Sequence, residues 1–208
     1  MTAVLMGRPR SINVRKALWA LDEVGADYRH EPWGEAGLSL NSDAFVALNP
    51  NRLVPVYREG EIVLWESNSI CRFVARKAAR EDLLPQDFVA AAAVEMWMDW
   101  SATTLAAAWR YAFMALMRDK PGYDDPGAIA RSVTEWNGRL ALLDAHLAAG
   151  GPYACGDHFT LADICLGLNV HRWRATPIDH AALPALLAYD ARLRDRQAYR
   201  HWAEPDLA

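Results

Sequence analysis

Three short stretches in the first third of the chain carry residue types suited to holding a small, charged, extended ligand. Ser11 lies between a short apolar run and a helix-periodic one, with Asn13 two residues on and Arg15 four residues on. A hydroxyl there has two uses. It can cap the helix that follows, which from this loop alone is the commoner role, or it can donate to an anion seated at the helix N-terminus. Asn13 divides the same way, between a first-turn residue with a solvent-facing amide and a second donor to that anion. Further along, Val54-Pro55 heads a short apolar strand. Proline cannot donate to a ladder, so it belongs at a sheet edge or in a constrained turn. A cis bond here would turn the backbone of Val54 outward, free to pair with an extended peptide. Glu66-Ser67 then opens a helix. An acid, a hydroxyl and free helix-end amides suit a head group bearing both an ammonium and a carboxylate, although an acid near a helix start is also ordinary dipole matching.

These residues need a scaffold, and the apolar periodicity supplies one. Ala3 to Met6 reads as a strand, Asn13 to Val24 as a helix ended by Gly25, Tyr28 to Pro32 as a strand and Ser42 to Leu48 as a short helix. Val54 to Tyr57 and Ile62 to Trp65 read as strands joined through Glu59-Gly60-Glu61, followed by a helix whose Ile70, Phe73 and Val74 recur at helical spacing. This βαβαββα order predicts a mixed four-stranded sheet flanked by helices, the thioredoxin-like arrangement. Residues 81–87, charged and holding Pro85, read as a linker after a first domain of residues 1–80. Residues 88–208 carry helical patterns without strand signals: Phe88 to Arg118, Pro126 to Ala149, Leu161 to Trp173 and Leu183 to Arg194. The expected class is therefore α/β plus all-α. Thr160 and Asp163 have the spacing of a capping box, with Phe159 and Ile164 placed as its staple.

Composition narrows the function. The chain has 208 residues, 52% of them hydrophobic, enough for one large core or two small ones. With 22 basic against 26 acidic residues and no long run of either sign, neither a nucleic-acid surface nor a basic membrane patch is indicated. No apolar stretch is long enough to cross a bilayer, and the N-terminus lacks a signal peptide's apolar core. The three cysteines, Cys71, Cys155 and Cys165, form no CxxC pair and lie outside the Ser11 loop, so a reducing, cytoplasmic setting and a mechanism without cysteine are expected. The six histidines show no metal-ligand spacing, so no metal is expected.

The run VPVYREGEIVLWESNSICRF, from Val54 to Phe73, resembles the glutathione-binding half of the cytosolic glutathione transferases. LMGRPRSINVRKALWALDEVG is similar to the first strand, active-site loop and first helix of bacterial, theta-like, serine-type members, and LNPNRLVPV to the loop entering their cis-proline. WMDW, Trp97 to Trp100, is similar to the first long helix of the second domain in one bacterial subgroup, and FTLADI, Phe159 to Ile164, to the capping motif of the family's all-α domain. The resemblance covers nearly the whole chain.

It implies glutathione as co-substrate, held by Glu66, Ser67 and the backbone at Val54-Pro55, with Ser11 donating to the sulfur and Asn13 as the alternative donor. The nucleophile would be the thiolate, attacking a small apolar electrophile. Relatives often place Lys, Arg or Gln directly before the Val-Pro pair. Here that position is Leu53, so Arg52 becomes the candidate partner for the glycine carboxylate. Trp109 and Tyr111 fall where relatives open their apolar pocket. A homodimer is implied, with no nucleic-acid or membrane partner. Other glutathione reactions on the same site, such as dehalogenation, ether cleavage or isomerisation, remain open. So does a non-enzymatic ligand-binding or regulatory protein of the same fold.

Overall fold

The structure, a computed structural model, describes residues 2–35 and 37–203. Two compact units divide it, Met1–Leu84 and Pro85–Ala208. Unit one runs β1 (Ala3–Met6), α1 (Ile12–Glu23), β2 (Tyr28–Glu31), α2 (Asp43–Val46), β3 (Val56–Glu59), β4 (Ile62–Trp65) and α3 (Ser67–Lys77). The four strands pair in the order β2-β1-β3-β4, with β1 parallel to β2 and antiparallel to β3, and β3 antiparallel to β4. This is the mixed sheet expected of a thioredoxin-like domain.

The pleat decides what each face buries. Leu5 and Tyr57 pair across β1 and β3 and are fully or nearly buried, as are Val14, Ala17, Leu18 and Leu21 of α1 and Ile70 and Val74 of α3. Their spacings of three and four residues keep one stripe of each helix inward. Met6 and Val56 belong to a second cluster with Phe45 of α2, to which Trp33, Leu40 and Val54 add partly buried area. At about 25 cal/mol per Å² of apolar surface, each full-size core side chain contributes roughly 1.5–3 kcal/mol.

Local chemistry moves several boundaries. The third strand starts at Val56 rather than Val54, because Val54 and Pro55 precede the ladder and proline has no N–H to give it. Glu59 belongs to that ladder, opposite Ile62, so the hairpin turns on Gly60 and Glu61, with Gly60 at φ 58°. Leu83 and Leu84 lie within the segment read as a linker, yet both are buried.

Unit two is helical, with only an isolated bridge between Tyr153 and Gly156 among its described residues. The helix expected over Phe88 to Arg118 is broken in register: α4 (Phe88–Trp100) passes through a π-helical segment, Ser101–Leu105, into α5 (Ala106–Leu116). There follow α6 (Pro126–Gly150), α7 (Leu161–Ala175), α8 (Pro184–Leu193) and α9 (Gln197–Trp202), the last without a counterpart in the sequence reading. Asp87 and Asp125 cap α4 and α6 through backbone N–H groups of Ala90, and of Gly127 and Ala128. At the start of α7, the buried Asp163 carboxylate accepts from the Thr160 N–H at 2.7 Å, the Ala154 N–H at 2.9 Å and the Tyr189 hydroxyl at 2.9 Å. It thereby ties the preceding loop, α7 and α8 together.

Candidate functional site

Register brings distant residues to one end of the sheet. Met6, the last residue of β1, pairs with Val56, the first of β3, and Val56 pairs with Trp65, the last of β4. Gly7, Pro55 and Glu66 therefore lie just beyond one row of the ladder. The helices that follow β1 and β4 both start at this end. Their first turns hold no acidic residue, so the positive ends of α1 and α3 are not neutralised within the helices.

Ser11 is the N-cap residue of α1 by backbone: it has φ −80° and ψ 123°, and its carbonyl accepts from Arg15 N–H at 3.0 Å. Its side chain makes no capping hydrogen bond. The hydroxyl thus remains available for a ligand, which is the opposite of what a serine used only as a cap shows. Around it the loop is braced. Ser11 N–H donates to the Arg8 carbonyl at 3.1 Å, and the buried Arg15 donates through Nε to the Pro9 carbonyl at 2.6 Å. Asn13 is exposed in the first turn of α1.

Gly7 fixes how closely the loop approaches the strand. It has φ 146°, and a Cβ there would stand 2.5 Å from Val14 Cγ2 and 2.8 Å from Val54 Cβ. Only glycine combines that conformation with that proximity. The Val54–Pro55 bond is cis, and the N–H and carbonyl of Val54 take part in no backbone pairing among the described residues. A ligand's peptide group has a free donor and acceptor there.

Glu66 is the N-cap of α3 at φ 72° and ψ 113°, and is exposed. That is a costly conformation for a residue with a side chain, of order 1–3 kcal/mol, and such strain concentrates where a function needs it. Ser67 follows as the first residue of α3 and is buried. The first-turn amides of α3 have no carbonyl partner within the helix and face the same end of the sheet.

Some of the support had no reading in the sequence. Lys16, buried beneath the site between α1 and α3, donates to Asn68 Oδ1 at 3.4 Å, and the Cys71 thiol donates to the Lys16 carbonyl at 3.5 Å. Asn49 is buried and sends Nδ2 to the Leu53 carbonyl at 2.8 Å, while its Oδ1 accepts from Asn51 N–H at 3.1 Å and from Asn51 Nδ2 at 3.0 Å. The Asn-Pro-Asn stretch was a visible turn signal, and a buried amide locking that turn is its physical use. Leu53 itself is 62% exposed, and Arg52, with φ 55°, is exposed beside it.

Trp109, one of the two residues placed by resemblance near a pocket, packs mostly within the helical unit. It is only 7% exposed, its indole N–H donates to Asn169 Oδ1 at 2.8 Å, and the Arg172 guanidinium lies 4.2 Å from its ring centroid. Those contacts make it part of the helical unit's interior. Tyr111 is partly buried, its ring 5.0 Å from that of Tyr123 and its hydroxyl accepting from Asp125 N–H at 3.3 Å. Among the described residues no group of three or more His, Cys, Asp or Glu is placed to hold a metal ion.

Comparison with known proteins gives the arrangement its family. Residues 10–77 match the family described as "Glutathione S-transferase, N-terminal domain", and residues 126–204 match "Glutathione S-transferase, C-terminal domain". The chain is 36% identical to glutathione S-transferase GstB of Escherichia coli K12 over 199 residues, 94% of this chain and 95% of that one. It is 33% identical to glutathione S-transferase 3 of Zea mays over 186 residues, 88% of this chain and 77% of that one. The fold is similar to the theta class glutathione S-transferase of Xanthomonas axonopodis pv. citri, solved with glutathione bound, at TM-score 0.92 and 39% identity over 100% of this chain and 99% of that one. With both of its domains matched in order, and a relative similar over almost its full length, this chain belongs to the glutathione S-transferase family.

Proposed function

We propose that this chain is a serine-type glutathione transferase that conjugates the glutathione thiolate to a small apolar electrophile. The observation that carries the reading is the free Ser11 hydroxyl at the N-terminus of α1, at the same sheet end as the unpaired Val54 backbone and the strained Glu66. In this reading Glu66 takes the ammonium of the γ-glutamyl head, the Ser67 hydroxyl and first-turn amides of α3 take its carboxylate, and Val54 pairs with the cysteinyl residue. Ser11 then donates to the sulfur, assisted by the end of α1. No proton acceptor is needed beyond water if the bound thiol ionises near neutral pH.

A homodimer in the cytoplasm fits the same reading. Ile62, Ser69, Arg72, Phe73, Arg76 and Lys77 line a groove of about 680 Å³ along β4 and α3, mixing apolar with basic side chains. On α4, Phe88 is 90% exposed, Val89 and Met96 are also exposed, and Glu95 and Asp99 add acidic groups. The two surfaces complement each other in charge and polarity, which suits pairing between copies.

Retention on immobilised glutathione, a turnover screen with aryl halides and activated alkenes, and the solution mass test the proposal together. Glutathione-dependent turnover is the expected result. A folded protein that neither binds glutathione nor consumes it would overturn the reading.

A further inference from the structure

The edge strand β2 stops short of finishing its pairing with the chain that leaves β1. Met6 lies opposite Glu31, and the Gly7 N–H carries the parallel ladder one step further, to the Glu31 carbonyl at 2.8 Å. The Gly7 carbonyl would next accept from a backbone N–H just after β2. None is left there. Pro32 has no N–H, Trp33 gives its own to the Glu31 carbonyl at 2.8 Å, and Gly34 donates to the Leu38 carbonyl at 2.7 Å. The half-buried His30 ring fills the gap, with Nε2 2.7 Å from the Gly7 carbonyl. A carbonyl only accepts, so Nε2 carries the proton and donates it.

Gly7 is therefore held from the β2 side by both of its backbone groups. It is also where the loop presses on two parts of the site, since a Cβ there would stand 2.5 Å from Val14 Cγ2 and 2.8 Å from Val54 Cβ. Ser11 hangs from the same loop, its N–H bonded to the Arg8 carbonyl at 3.1 Å. Resting on the glutathione reading above, we propose that His30 is a positioning residue for the thiolate. By holding Gly7 it sets where the Ser11 hydroxyl stands relative to Val54, with which the cysteinyl residue pairs in that reading. A hydrogen bond weakens steeply with distance and misalignment, and a reacting constellation tolerates only about 0.5 Å of displacement. A loop released at Gly7 loses part of the Ser11 effect on the sulfur. Glu66 and Ser67, mounted on α3, keep their hold on the head group.

Three substitutions test this in the whole chain. His30→Leu keeps bulk and removes the donor, His30→Asn carries an amide too short for the Gly7 carbonyl, and His30→Gln keeps an N–H at nearly the reach of Nε2. Each is set beside the unsubstituted protein and Ser11→Ala, reading thiolate absorbance against pH with glutathione bound, calorimetry with glutathione, and a urea melt. The expected result is a bound-thiol pKa raised by roughly half a unit to one unit in the Leu and Asn variants, part of what a hydrogen bond to a charged sulfur supplies. Their glutathione dissociation constants should stay within about twofold of the parent, and His30→Gln should restore the parental thiol pKa. A thiol pKa unmoved in the Leu and Asn variants, with or without an earlier melt, makes the bond a matter of folding alone and overturns the proposal. So does a raised pKa that His30→Gln fails to restore. Should His30→Leu not fold, the comparison of Asn with Gln decides. A raised pKa in Ser11→Ala beside an unmoved one in the His30 variants spares the parent reading, whereas an unsubstituted chain that does not bind glutathione removes both.

Discussion

Replacing Ser11 with alanine separates ground-state stabilisation of the thiolate from structural capping, and the two leave different signatures. A hydrogen bond to a charged group is worth about 1.5–3 kcal/mol. At about 1.4 kcal/mol per unit, its loss raises the bound thiol's pKa by about one to two units. If the intact site holds that pKa near 7, the variant moves it to about 8.5, and the thiolate fraction at pH 7 falls from about a half to about 3%. The freed thiolate is also the better nucleophile. With a Brønsted coefficient of about 0.4–0.5, a rise of about 1.5 units returns roughly fivefold in intrinsic reactivity. The net loss in rate at pH 7 is then about threefold, although the thiolate population drops about sixteenfold.

Above pH 9 the order should reverse, with the variant matching or exceeding the parent once both thiols are ionised. Stability should hardly change, well below the roughly 1 kcal/mol of a true side-chain cap, since the Ser11 hydroxyl makes no capping bond. Thiolate absorbance against pH, rates across the same range and a urea melt read all of this. An unchanged thiol pKa with an intact pH 7 rate refutes the argument and hands the role to Asn13 or the first-turn amides of α1.

Glu66→Gly removes the carboxylate and relieves the φ 72° backbone together, so calorimetry should show glutathione binding several-fold weaker while the denaturant midpoint holds or rises. An unchanged dissociation constant would remove Glu66 from the site. Gly7→Ala should cost at least about 2 kcal/mol and abolish glutathione binding, because its Cβ would drive into Val14 and Val54; a parental urea midpoint contradicts this. The Cys155 thiol is pushed up to about 11 by burial and by the neighbouring Asp163 carboxylate, and Cys71 and Cys165 are fully buried. A thiol-directed disulfide reagent at pH 8 should therefore react slowly with the folded chain and with all three cysteines after denaturation, and a fast folded-state reaction would reopen a cysteine mechanism.

Periodic elements were legible because their signal is local. The apolar stripe of α1 needs only Val14, Ala17, Leu18 and Leu21 in one face, and Gly60 between two apolar runs announces its hairpin. The π segment, Ser101–Leu105, has no comparable signature, since its residues are compatible with an ordinary helix. Its turn is accompanied by tertiary bonds: buried Ser101 accepts from Asn169 Nδ2 at 3.0 Å and donates to the Cys165 carbonyl at 3.5 Å. Those partners lie more than sixty residues away, beyond any window of periodicity. The bond from the Trp109 indole to Asn169 of another helix is of the same kind, sixty residues apart in the chain.

The site shows the same division between what is local and what is assembled. Ser11, Val54 and Glu66 each gave a local cue, but no cue told cap from donor at Ser11. The hydroxyl's lack of a capping bond bears on the cap alone, and is a fact about geometry. Their meeting at one sheet end depends on the pairing of Met6 with Val56 and of Val56 with Trp65, across fifty residues of chain. The same assembly determines how the work is shared. A helix end contributes about 0.3–1 kcal/mol toward a nearby anion, rising to about 2 in partly buried geometry, and a hydroxyl bonded to a charged sulfur contributes about 1.5–3. These ranges overlap, so α1 can supply a share of the lowering beside Ser11. Acidic residues in the first turns of α1 or α3 would cancel the helix share, and neither helix has one there. Placing Asp at position 13 would do so directly: Asn13→Asp sets a negative charge in the first turn of α1 without touching Ser11. It should raise the bound thiol's pKa by a fraction of a unit to about one unit, more at low salt than at high salt. A thiol pKa that ignored both the substitution and the salt would show the field of α1 to be irrelevant, leaving the hydroxyl to act alone.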